Sequence, residues 1–208
     1  MASMRNGSAV LARTAASVAA MLFVTDVAMD AAHAQSGTVA CTIVNRAPLT
    51  SVTNPPPADR QEIMDLLHRY NWALDEGTLV DLDPLFAAEP SYELCNSLLL
   101  QQETRSGKQQ VLSYLDGLKL EVKRSAAGTR HIESNTLLNA VNADTVEGKS
   151  TVLVTIQFSG IETPVLDYTA KLASTFVREI DPAKQAPAWK IKSLILLADG
   201  PKIVLRAR

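Results

Sequence analysis

The chain has 208 residues, of which 47% are hydrophobic, 20% charged and 5% aromatic, enough apolar material for one packed core and too little bias for disorder. Twenty Lys+Arg against 22 Asp+Glu give a net charge of -2, which supplies no broad cationic footprint for nucleic acid. Ten prolines and nine glycines follow no period, so repeat architectures are excluded as well.

The first 34 residues read as a targeting segment. Arg5 and Arg13 form a basic start, Ala15 to Val24 an apolar run of ten residues, and Ala32-His33-Ala34 a small-x-small cleavage site. That run is half of the ~20 apolar residues a membrane-spanning helix needs, so export is expected rather than anchoring. Cleavage would start the mature chain at Gln35, in the periplasm or outside the cell, with no membrane attachment. It removes two basic residues (Arg5, Arg13) and two acidic ones (Asp26, Asp30), leaving the charge at -2 and His68 and His131 as the remaining histidines. Cys41 and Cys95 would then meet an oxidising compartment. One Cys41–Cys95 bridge is expected, worth about 3–4 kcal/mol in the chain-entropy picture; two unpaired buried thiols are the alternative. Two cysteines and two histidines without close spacing make no zinc site, so no metal is expected.

Residues 35–57 contain Asn54-Pro55-Pro56-Pro57, which reads as an extended arm. Asp59, with Glu62 three residues later, suggests an N-cap. Ile63, Leu66, Leu67, Tyr70, Ala73 and Leu74 follow at helical spacing, predicting a helix over 59–76 that stops at Gly77. A short helix is predicted over 79–87 on Leu82, Leu85 and Phe86, a strand over 91–100, and a third helix over 106–118 on Val111, Leu112 and Leu115. From Thr129 the period changes from 3.6 to 2. Strands are predicted over 129–141, 150–159, 165–180 and 188–198. Helices first and strands afterwards argue for an α+β fold with a mostly antiparallel sheet, since parallel strands need crossovers between them. Strongly curved strands around the helices would make a cone with an interior pocket.

Three segments carry a family resemblance: residues 59–94 from Asp59-Arg60-Gln61 to Tyr92-Glu93-Leu94, residues 106–115, and residues 128–138, which include Gly128-Thr129-Arg130-His131. Together they resemble the SnoaL-like branch of the nuclear-transport-factor-2-like superfamily over roughly Pro57 to Gly200. The domain is thus set at 58–200, with a tail at 201–208. The resemblance implies a cone-shaped α+β fold with a deep pocket and an oligomer, a dimer or trimer of identical chains. Within the branch the chain looks most like bile-acid dehydratases, scytalone dehydratase and the hexachlorocyclohexane dehydrochlorinase, which carry an Asp–His pair in the pocket; Asp75 and His131 match it. Tyr70 matches a tyrosine of the bile-acid enzymes. The dehydrochlorinase has a lysine where Tyr70 stands and an arginine near Leu194, so its halide chemistry is not implied. No acidic residue stands in 150–159, where the bile-acid enzymes carry a further carboxylate.

The residues themselves leave two readings of each candidate. On a helical wheel Asp75 lies about 140° from the apolar stripe, as a solvated helix end would. Its functional reading is an orienter of His131, which would make the imidazole a general base. His131, Glu133 and Asn135 share one strand face, either outward or into the cone, where Asn135 would hold substrate. Tyr70 is either core or a phenol donating to a substrate oxygen. Trp72 reads as contact surface and His68 as a solvated histidine, while Tyr92, Phe158, Tyr168, Phe176 and Trp189 are strand aromatics, the first four the candidate pocket walls. The expected activity is cofactor-independent proton abstraction from a small hydrophobic substrate, in a lyase of dehydratase type or an isomerase. A non-catalytic binding module or scaffold of the same fold is the alternative.

Overall fold

The computed structural model describes residues 53–95 and 101–199, together with the backbone but not the side chains of residues 101 and 102. The expected targeting segment, the tail, most of the arm and Cys41 lie outside the described residues. Helix α1 spans Pro57–Asp75, α2 Leu79–Leu82 with a tight helical turn at Asp83–Leu85, and α3 Lys108–Arg124. The strands are β1 Phe86–Cys95, β2 Gln101–Ser106, β3 Ala127–Asn142, β4 Thr145–Phe158, β5 Val165–Asp181 and β6 Ala186–Ala198. They form one sheet in the order β2-β1-β6-β5-β4-β3, antiparallel except for the β1–β6 pair. The α+β class and the mostly antiparallel sheet are as the sequence predicts.

Several boundaries move, each for a physical reason. Helix α1 begins two residues earlier than expected, because Pro57 sits in its first turn, where a proline's fixed φ and missing N–H cost nothing. Asp59 is therefore no N-cap; it lies in that first turn and pairs with Arg178. The second helix ends at Leu82 instead of 87, and Phe86 already belongs to β1. The third helix runs six residues beyond Leu118: Gly117 weakens it, but Leu115, Leu118 and Val122 repeat at helical spacing, and Lys123 and Arg124 suit its negative C-terminal end. Strand β2 was not expected. Its sequence, Gln101 to Ser106, has no apolar alternation, and it forms by pairing with β1 at the sheet edge.

In β4 the alternation is clean: Val146, Gly148, Ser150, Val152, Val154 and Ile156 are buried, and the residues between them are not. This buried face, with Ala170, Leu172 and Phe176 of β5 and Ile191 and Leu194 of β6, packs against Ile63, Leu66, Leu67 and Tyr70 of α1 and Val111 and Leu115 of α3. The helices thus cover one face of the sheet. Thr53 ties the preceding chain to β3: its carbonyl accepts the Ala140 N–H at 2.7 Å and its own N–H donates to the Asn139 side chain at 2.9 Å.

Two bulges set which residues face inward. In β5, Tyr168 pairs with Val154 while Leu166 pairs with Thr155, so Asp167 is an extra residue in the ladder. In β3 the register shifts between Ser134 and Leu137, and Asn135 there takes a left-handed backbone, φ 56°, which asparagine tolerates.

Candidate functional site

Between α1, α3 and the sheet lies a cavity of about 420 Å³, within the range of small-molecule sites. Its walls include Tyr70, Asn71 and Asp75 of α1, Leu115 and Lys119 of α3, His131 of β3, and Tyr168 of β5. Helix α1 delivers Asp75 in its last turn, and the chain then turns at Gly77, where a Cβ would come within 2.8 Å of the Ala73 Cα. Strand β3 is an edge strand of the sheet, so its outward-facing backbone groups can meet α1. There the Asp75 carboxylate accepts three hydrogen bonds. The Thr129 hydroxyl and the His131 ring Nδ1 donate to Oδ1, at 2.9 and 2.6 Å, and the His131 backbone N–H donates to Oδ2 at 2.9 Å.

Both side chains are largely shielded, Asp75 at 5% and His131 at 14% exposure. Burial pushes the Asp75 carboxyl up, but hydrogen bonds from the His131 ring and backbone, the attraction of His131 and the Thr129 hydroxyl outweigh it. The net result holds Asp75 below the usual carboxylate range. An ionised carboxylate is acceptor-only, so the proton between the two groups belongs on Nδ1 and Nε2 is left with its lone pair when the ring is neutral. The helical wheel alone would put Asp75 in solvent; β3, folded against the helix end, buries it.

Tyr70, Tyr92 and Tyr168 line the same cavity. Burial is the main cause that raises all three phenols above tyrosine's usual range, so they stay protonated and can donate. Among the described residues their hydroxyls make no hydrogen bond. Tyr70 also packs edge-on to Phe86, with ring centroids 5.9 Å apart. Tyr92 packs against Tyr114, the fourth tyrosine, with ring centroids 5.3 Å apart and the planes tilted by 45°, and Arg105 lies over the Tyr114 ring at 4.9 Å. Glu133 faces α1, where the buried Asn71 amide donates to it at 3.1 Å.

Other sequence candidates fall elsewhere. Asn135 is exposed and does not line the cavity, because the β3 bulge breaks the alternation that would have placed it beside His131. Phe176 is fully buried in the core, with its ring over Gly148. Phe158, half-buried at the end of β4 opposite Ala127, is not a wall residue either. Trp72 is exposed, and so is His68. Trp189 is buried beneath Arg178, at 4.8 Å. Cys95 is fully buried at the end of β1, and Cys41 lies outside the described residues.

Lys119, Asn71 and Asp167 are among the wall residues that were not anticipated. Lys119 lies beyond the predicted end of the third helix. Asn71, beside Tyr70, is a polar residue in an amphipathic helix, which by itself marks no site. Asp167 precedes Tyr168, and strict alternation would send one of two consecutive residues outward; the bulge lets both line the cavity. No sequence signal marks that bulge. Among the described residues no group of His, Cys, Asp and Glu is arranged to hold a metal ion, and no helix is long and apolar enough to cross a membrane.

The profile of the SnoaL-like domain family matches residues 57–195. Among solved structures, Aln2 from a Streptomyces species superposes with a TM-score of 0.59 at 16% identity, over 71% of this chain and 95% of that one. An NTF2-like protein with a cystatin-like fold from Novosphingobium aromaticivorans gives 0.54 at 20% identity, over 72% and 85%. A candidate scytalone dehydratase from the same species gives 0.54 at 18% identity, over 73% and 96%. At these identities the likeness is one of fold. No curated protein matches the chain.

Proposed function

This chain belongs to the SnoaL-like domain family, and from that premise we propose that it is a cofactor-independent lyase of dehydratase type. The observation that carries the proposal is the 2.6 Å contact between Asp75 and His131 at a cavity that is also lined by three protonated phenols able to donate to a ligand. The resemblance to a scytalone dehydratase fold supports the same class.

In this reading Asp75 holds the His131 Nδ1–H, and Nε2 takes a proton from a carbon next to a carbonyl. The C–H electron pair becomes part of a new C=C bond, and the C–O bond breaks with its pair on oxygen. That oxygen takes the proton from the imidazolium and leaves as water, which returns His131 to its neutral form. Tyr70, Tyr92 and Tyr168 donate to the carbonyl oxygen, which gains charge as the proton leaves. The walls Leu74, Leu115, Val152, Val154, Leu172 and Leu196 suit a hydrophobic ring system. The test is solvent-deuterium exchange into 1-tetralone and related cyclic ketones that have no leaving group. Exchange catalysed by the wild type and lost in His131→Gln is the expected result. Binding of the ketones without exchange would favour a non-catalytic binding module.

The N-terminal sequence supports export, and the family resemblance supports a homo-oligomer, as further parts of the same reading. Protein recovered from the periplasm should begin at Gln35, and labelling of the unreduced, denatured protein should find no free thiol. An intact Met1 would exclude cleavage, and two labelled thiols would exclude a Cys41–Cys95 bridge.

A further inference from the structure

Helix α1 ends with carbonyls that have no partner within the helix, and its last turn contains no basic residue. The need is sharper than usual, because Asp75 and Glu76 stand at the negative end of the helix dipole, where anions are disfavoured. The partner comes from another helix. Lys119 of α3 donates its ammonium to the Ala73 carbonyl at 2.5 Å and to the Leu74 carbonyl at 2.8 Å, the two residues that immediately precede Asp75. Lys119 also lines the cavity.

We propose that Lys119 is a positioning residue: by clamping the last carbonyls of α1 it sets the place from which Asp75 grips His131. The inference deepens the reading of the Asp75–His131 pair as catalytic, and it concerns a residue that touches neither imidazole nor substrate in that scheme. The clamp joins three elements, because α3 holds α1 and α1 holds β3. Around the ammonium stand Asp75 of α1, Asp81 of α2, and Asp116 and Lys123 on α3 itself. His131 lies beyond Asp75, and the residues next to these two in the chain, Arg130 and Glu76, form an exposed ion pair of their own at 3.0 Å.

Two opposite effects on His131 separate positioning from plain electrostatics. Removing a nearby cation favours the imidazolium and raises the histidine titration midpoint. Loosening the Asp75 contact removes the anion that stabilises the imidazolium and lowers it. The experiment is NMR titration of ring-labelled His131 in the wild type, Lys119→Met, Lys119→Arg and Asp75→Asn, on the full chain without ligand. The expected result is a lower midpoint in Lys119→Met, in the direction given by Asp75→Asn, with recovery in Lys119→Arg. The His131 backbone amide, held by Asp75 Oδ2, should also exchange with solvent at least ~10-fold faster in Lys119→Met. A raised or unchanged midpoint, or unchanged amide exchange, overturns the proposal. Should Lys119→Met not fold, Lys119→Gln supplies the same two readings. Neither depends on turnover, so absence of catalysis in the wild type would defeat the lyase reading and leave the clamp to be judged separately.

Discussion

His131→Gln and Asp75→Asn should each cut turnover by roughly 10²-fold to 10⁴-fold, and the double variant should lose little more. The near-equality is the informative part. Two groups joined at 2.6 Å, one orienting and the other transferring the proton, act as one unit, so removing either removes the same step. Glutamine keeps size and polarity at His131 but has no titratable nitrogen. Asparagine at Asp75 keeps the shape but loses the charge that stabilises the imidazolium. Multiplying losses in the double variant would mean that the two side chains act separately. Full rate in either single variant would end the dyad reading, since the other histidine of the domain, His68, is exposed and outside the cavity.

Acid stability gives an independent reading of Asp75. Its carboxyl is held below the usual carboxylate range in the folded protein, against an ordinary value near ~3.9 when unfolded. The stability it contributes is therefore complete above that ordinary value and is lost as pH falls through the lower, folded one. Asp75→Asn lacks this contribution. The difference in unfolding free energy between wild type and variant should be greatest near neutrality and shrink in acid, as denaturant titrations at several pH values would detect.

What could be foreseen depended on how local the determining physics is. Six apolar residues from Ile63 to Leu74 at helical spacing, and the two-residue alternation of β4, each name a buried face without reference to the rest of the chain. That was enough for the class of fold, and the resemblance supplied the Asp75–His131 pairing. Features made by distant partners were not legible. The six polar residues of β2 become a strand because β1 offers them a ladder. Asp75 is buried by a strand that begins more than fifty residues later in the chain, and no wheel drawn on α1 contains that information. The bulges are the third kind of failure. A one-residue slip turns side chains to the other face, so the β3 bulge removed Asn135 from the site and the β5 bulge added Asp167 to it.

Phe176 shows the same boundary between wall and core, and Phe176→Ala should destabilise the fold by about 3–5 kcal/mol. Set against the ~5–15 kcal/mol by which domains are ordinarily stable, this is a large share. The ring is wholly buried and lies against Gly148 of β4, where an added Cβ would collide with the Ser174 hydroxyl and come 3.1 Å from the ring and 3.2 Å from Leu138. Glycine at 148 is what lets the ring approach the β4 backbone, so truncating the ring leaves a void that rigid strands cannot collapse to fill. Denaturant unfolding of Phe176→Ala should show a lower midpoint with an unchanged slope. Phe176→Leu, which restores most of the volume, should recover much of the loss and bind cyclic ketones as the wild type does. If Phe176→Leu changed ketone affinity more than it changed stability, the ring would belong to the binding site and not to the core beneath it.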